Sequence, residues 1–201
     1  MRWLICKGRK MLADLANKIL QTIGGTLGVL RHRLGGPAYN AEAAWAFVAD
    51  VMDRHHFTSG ARRWLRDNVN LRVDDMASTS GGGYWMPQTR EVRLFTAQHE
   101  AAVHELAHAW WHDRRHPLKE EMIEATVRLS AEQDPRYAAT TKLAHDYVHG
   151  IPEQNWAGML VERNDWEMFA GLASGTMGDM SKLPPYVRKL YAGLFEMPEG
   201  E

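Results

Sequence analysis

Hydrophobic and polar positions alternate along this chain with two different periods, and the change of period divides it. From Met11 to about Ile23, apolar residues recur at Leu12, Leu15, Ile19 and Ile23, a helical spacing that Gly24-Gly25 ends. Gly35-Gly36-Pro37 makes a second break. Asn40 then stands where a cap belongs, before a helix whose apolar stripe is Ala43, Ala44, Phe47, Val48 and Val51. A short helix follows Ser59-Gly60, from Ala61 to about Asn68. At Val69 the period drops to two: Val69, Leu71 and Val73 alternate with Asn70, Arg72 and Asp74, the pattern of a strand. Gly81-Gly82-Gly83 is a turn, Tyr84-Trp85-Met86 a second strand, and Pro87-Gln88-Thr89-Arg90 a hairpin connection into a third strand, Glu91 to Phe95. Thr96 stands where it can cap a helix through Asp113. Further helices are predicted from Leu118 to Ala131, from Pro135 to about His149, from Asn164 until Gly175, and from Pro184-Pro185 through Leu194. Pro152 opens a stretch of its own. Helices, a small group of strands, then helices make an α+β pattern.

Composition changes this picture little. The 201 residues suffice for one domain with a real core, 45% hydrophobic and 24% charged content are ordinary, and the formal net charge is -1. Such a balance gives no bulk attraction for nucleic acid, and the patch Arg62, Arg63 and Arg66 beside Trp64 reads as a solvated face. A single cysteine, Cys6, excludes an intrachain disulfide. The basic N-terminus is not followed by a clean signal-peptide core, because Asp14, Asn17 and Lys18 interrupt it. The uncharged run from Ile19 to Leu30 is well short of the roughly 20 residues a membrane span needs. A cytoplasmic protein without an integral membrane segment is expected.

Histidine is the exception. Four of the ten fall between His104 and His116. On the helix predicted there, each residue turns about 100°, so His108 lies about 40° from His104 and Glu105 about 100° away. Ala102, Val103, Leu106, Ala107, Ala109 and Trp110 take the opposite arc. Two imidazoles one turn apart on one face can reach one metal ion, and zinc suits nitrogen donors in tetrahedral geometry. Glu105 is then placed to take a proton from water activated by the metal, as the general base of a hydrolase. His112 shares the face but lies about 12 Å along the axis from His104, too far to converge on the same ion. His116 falls past the helix end. A third histidine following a glycine turn would need glycine at 111, where Trp111 stands.

The third ligand must therefore come from another element. Glu167, in Asn164-Asp165-Trp166-Glu167-Met168-Phe169-Ala170, is the first candidate, and Glu162 and Asp165 compete with it. As the third residue of its helix, Glu167 also fits a capping box. Trp110 and Trp111 read as packing residues.

The run His104-Glu105-Leu106-Ala107-His108, followed by a helix carrying Glu167-Met168-Phe169-Ala170, resembles the gluzincin zinc metallopeptidases. It is most similar to catalytic domains of the anthrax lethal factor type. The resemblance covers roughly Val69 to Leu194. It implies a zincin-like catalytic domain over residues 69–201, with residues 1–68 as helical additions packed on it. It also implies a zinc ion on His104, His108 and Glu167, and hydrolysis of a peptide or protein substrate. In this class the strand before the motif helix is an edge strand that pairs with extended peptide, here Glu91 to Phe95. The chain departs from the family just before Glu167, where Leu160 stands in the region of an expected tyrosine. Tyr186 and Tyr191 are the nearest downstream tyrosines. That departure leaves an alternative, a zincin-fold binding or regulatory protein that holds zinc with little or no turnover.

Overall fold

The computed structural model describes residues 41–73, 82–149 and 164–199. The expected helix at 11–23, the stretch opened by Pro152, Leu160 and the competing Glu162 lie outside them. Among the described residues the chain is mostly helical with one small sheet. The elements are α1 (Ala41–Arg54), α2 (Ser59–Asn68), β1 (Asn70–Val73), β2 (Gly83–Met86), β3 (Glu91–Leu94), α3 (His99–His112), α4 (Arg115–Ser130), α5 (Ala138–His149), α6 (Asp165–Thr176) and the short α7 (Pro185–Arg188). Single 3-10 turns occupy Pro135–Tyr137, Met180–Lys182 and Lys189–Tyr191. No described helix is long and apolar enough to cross a membrane.

The helix ends follow local chemistry. Thr58 caps α2 by accepting a hydrogen bond from the Ala61 N–H at 3.0 Å, so the helix begins two residues before the expected Ala61. Asn164 caps α6 through the Trp166 N–H at 3.1 Å. That helix passes Gly175 and ends instead at Met177, whose left-handed conformation precedes Gly178 with φ of 75°. Helix α3 begins at His99, not at Thr96. The Thr96 hydroxyl accepts from the Gln98 N–H at 3.3 Å and thereby shapes the loop before the helix.

The sheet order is β1-β3-β2. Strands β2 and β3 form the expected antiparallel hairpin, with Trp85 opposite Val92, while β1 runs parallel to β3, Leu71 opposite Val92. This corrects one expectation. The strand preceding the motif helix is central, not an edge, so Glu91 to Phe95 has no free side for an incoming peptide. Among the described residues, the strand with a free side next to the motif helix is β2. Because the Phe95 N–H bonds to the Gly82 carbonyl, Tyr84 and Met86 also face β3, and the backbone groups of Gly83 and Trp85 point away from the sheet.

The core lies between this sheet and the helices. Val48 and Val51 of α1, Leu65 of α2, Val92 and Leu94 of β3, Leu106 of α3, Leu129 of α4, and Phe169 and Leu172 of α6 belong to one fully buried cluster. Trp110 and Trp111 are buried in it as well. Helices α3 and α6 pack closely, and that pair carries the site.

Candidate metal centre

Helix α3 lays its apolar arc, Ala102, Val103, Leu106 and Ala109, into the core and turns His104 and His108 toward the first turns of α6. The two Nε2 atoms face each other at 3.0 Å. The Glu167 carboxylate meets both histidines: Oε2 is 3.4 Å from Nε2 of His104 and Oε1 is 3.4 Å from Nε2 of His108. All three donors lie within 4.8 Å of one another. Zinc bonds of about 2.0–2.1 Å at tetrahedral angles set neighbouring donors roughly 3.3 Å apart. The observed separations match that, and two neutral imidazoles with one carboxylate make a donor set that zinc accepts.

Both Glu167 oxygens are turned to the histidines and not to its own helix end, where the Asn164 side chain caps the Trp166 N–H. Asp165 points elsewhere: it is buried and accepts a hydrogen bond from Nε1 of Trp111 at 2.8 Å. It is therefore not part of the cluster. His112 and His116 do not join it either. The His112 ring lies between Trp85 and Trp166, with centroids 6.0 and 5.4 Å away, and His116 is exposed.

The charges in the cluster are strongly interdependent. Burial pushes the Glu167 carboxyl up, but its hydrogen bonds with His104 and His108 outweigh burial and hold it well below the ordinary carboxylate range. Burial alone lowers His104, yet Glu167 and the nearby Glu105 raise it above the ordinary imidazole value. His108 is lowered, because burial and the neighbouring His104 exceed the pull of Glu167.

Glu105 faces the other wall of the cleft, β2. Burial pushes its carboxyl up to about 7, against the opposing effect of His104 and of a hydrogen bond from the Trp85 backbone N–H. Two glycines let the strand come this close. A Cβ on Gly83 would stand 2.5 Å from the Arg93 carbonyl and 3.0 Å from Cγ of Glu105, and one on Gly82 would stand 2.8 Å from Cβ of Ala101. The resulting cleft, of about 350 Å³, is lined by Gly83, Tyr84, Trp85, His104, Glu105, His108, Trp166 and Glu167.

The two hydroxyls expected from sequence do not reach it. Tyr186 donates to Glu132 at 3.3 Å, and the fully buried Tyr191 donates to the Phe169 carbonyl at 2.9 Å. Sequence reasoning missed three neighbours of the site. Trp166 edges the His108 ring at 5.6 Å. The buried Ser174 hydroxyl lies 3.5 Å from Nδ1 of His104 while donating to the Gly171 carbonyl. Tyr147 of α5 packs where Gly171 leaves room, and burial, then the charges of Glu167 and Glu100, push its hydroxyl up to about 12. The first signal available for these was adjacency, since Trp166 precedes Glu167. Ser174 follows Glu167 by seven residues, which is two helical turns.

Comparison with protein-family models, with curated proteins and with solved structures returns no match.

Proposed function

We propose that this chain is a zinc-dependent peptidase built on a zincin-like fold. One observation carries the reading: two histidines of one helix and a glutamate of another converge at ligand spacing, with a second buried carboxyl beside them in the same cleft. His104, His108 and Glu167 would hold the ion. When bound, it supplies Lewis-acid polarisation of the substrate carbonyl and makes water a stronger nucleophile.

The chain's own residues supply the rest. Glu105 takes the proton of the attacking water on a carboxylate oxygen and passes it to the leaving amine. Burial raises this carboxyl, which favours its taking the proton, while the charge of a bound ion would act in the opposite direction. The outward backbone groups of Gly83 and the Trp85 carbonyl, the Trp85 N–H being taken by Glu105, offer an extended peptide a short edge to pair with. The strand that aligns substrate in this reading is thus β2.

The test is a pair of measurements on purified protein. Glu105→Gln is expected to keep one zinc per chain and to lose cleavage of a peptide library by at least a hundredfold. Wild-type protein that carries stoichiometric zinc yet cleaves no peptide in the library sinks the peptidase reading. Wild-type protein that takes up no zinc sinks the metal centre as well.

A further inference from the structure

The metal donors come from two helices, and something must fix α6 against α3 so that Glu167 arrives at the histidines. We propose that Trp111 is a positioning residue for Glu167, acting through the carboxylate of Asp165. This inference rests on the metal-centre reading above.

Trp111 stands three residues after His108 on α3, and Asp165 two residues before Glu167 on α6. Their hydrogen bond, 2.8 Å from Nε1 to Oδ2, is buried at both ends, with Trp111 1% and Asp165 3% exposed. A carboxylate in that setting has strong reason to keep its donor, because an unpaired buried acceptor loses water without replacement. The bond therefore pins the first residue of α6. Asp165 and Glu167 are separated by about 200° around a helix. With Asp165 held toward Trp111, rotation of the first turn is fixed, and Glu167 is left on the side that meets His104 and His108.

A stack of rings fixes the same turn against translation. The Trp111 ring lies parallel to that of Phe169, centroids 4.3 Å apart and planes inclined by 14°. Phe169 in turn stacks on Tyr191 at 4.3 Å, and the Tyr191 hydroxyl bonds to the Phe169 carbonyl. Indole is the side chain that meets both demands here. It has a flat face for Phe169 and an edge N–H that reaches Asp165, whereas phenylalanine would keep the stack and drop the bond.

That difference gives the experiment. Full-length Trp111→Phe, Asp165→Ala and Asp165→Asn are purified, stripped with chelator, and titrated with zinc and, separately, with cobalt(II). Loss of the support behind a metal ligand typically weakens metal binding 10- to 100-fold. Trp111→Phe is expected to raise the zinc Kd by that factor. The visible cobalt spectrum should change as water takes the place of Glu167. Asp165→Ala should do the same from the other end, and it serves if Trp111→Phe does not fold. Asp165→Asn keeps an acceptor for the indole N–H and should stay within a few-fold of wild type. A change in melting temperature alone is what a merely structural bond would give. If Trp111→Phe and Asp165→Ala are folded and bind zinc within twofold of wild type, with an unchanged cobalt spectrum, the positioning role is overturned while the metal centre stands. If wild-type protein itself binds neither ion, the metal-centre reading fails, and this inference with it.

Discussion

Glu105 holds a carboxyl where a charge is costly, and that cost can be measured without substrate. Its carboxyl is raised by burial from the ordinary 4.5 to about 7. In metal-free protein the native state therefore binds this proton more tightly than the unfolded chain does. Stability falls as pH rises between those two values, and the full cost, about 3 kcal/mol, is present above the upper one. Glu105→Gln removes the titration. Melting curves in chelator should coincide with wild type near pH 4, and the variant should melt higher from pH 7 upward. A difference that does not vary with pH would count against a buried, ionising Glu105. Gly83 is the other residue under constraint. A methyl there meets the Arg93 backbone and the Glu105 side chain, so Gly83→Ala should cost about 1–3 kcal/mol. Because the strand or Glu105 must shift, it should also lower kcat more than it raises KM for any peptide the wild type cleaves.

At the level of elements, close approach recurs between α5 and α6. A Cβ on Gly171 would overlap the hydroxyl and ring of Tyr147, so Gly171→Ala should melt several degrees lower, and Tyr147→Phe in that background should recover part of the loss. If Gly171→Ala costs as much in a Tyr147→Ala background, where the ring is gone, as it does in wild type, this contact is not the cause. The elements themselves were legible because each carries its own period: Val69 to Val73 alternates, and Ala44, Val48 and Val51 repeat by turns. The motif helix was legible for the same reason, with its two histidines on one face and its apolar residues on the other. Strand order was not. The edge position expected for Glu91 to Phe95 came from the family resemblance, and only the parallel pairing with β1, which no local pattern encodes, places β3 in the middle. The Glu167 position was legible through its cap at Asn164. Its support was not, since an indole N–H and a carboxylate 54 residues apart leave no periodic trace.

For the molecule as a whole, the two helices that carry the site meet α1 at one histidine pair. His55, just after α1, accepts or donates at 2.8 Å to His99, the first residue of α3, and also bonds to the backbone of Met177, the residue that ends α6. Phe47 edges the His99 ring, and Asp50 lies 3.9 Å from its Nε2. His55 is held below the ordinary imidazole value by burial first, then by the charges of His99, His56 and Arg54, with Met177 opposing. The native state thus resists a proton that the unfolded chain accepts. Stability from this contact is present above pH 6.5 and is lost as pH falls below it. His55→Gln should flatten that part of the melting-temperature profile between pH 5 and 7. The opposite slope set by Glu105 is separated by running the histidine variant in a Glu105→Gln background. If the profile keeps its acid-side fall without His55, the pair is not its source.

The placement of β2 bears on how such a protein avoids its own kind. A bare strand edge invites other chains to add to it, and long, flat, apolar edges nucleate fibres. This one is four residues long and begins with glycine. It turns outward the backbone of only Gly83 and Trp85, and the Trp85 N–H is already engaged by Glu105. Among the described residues this edge is too short to template a second sheet, and on the peptidase reading proposed above it would hold one extended segment in passing. On that reading, the brevity that would give a guest little to grip would also let it leave.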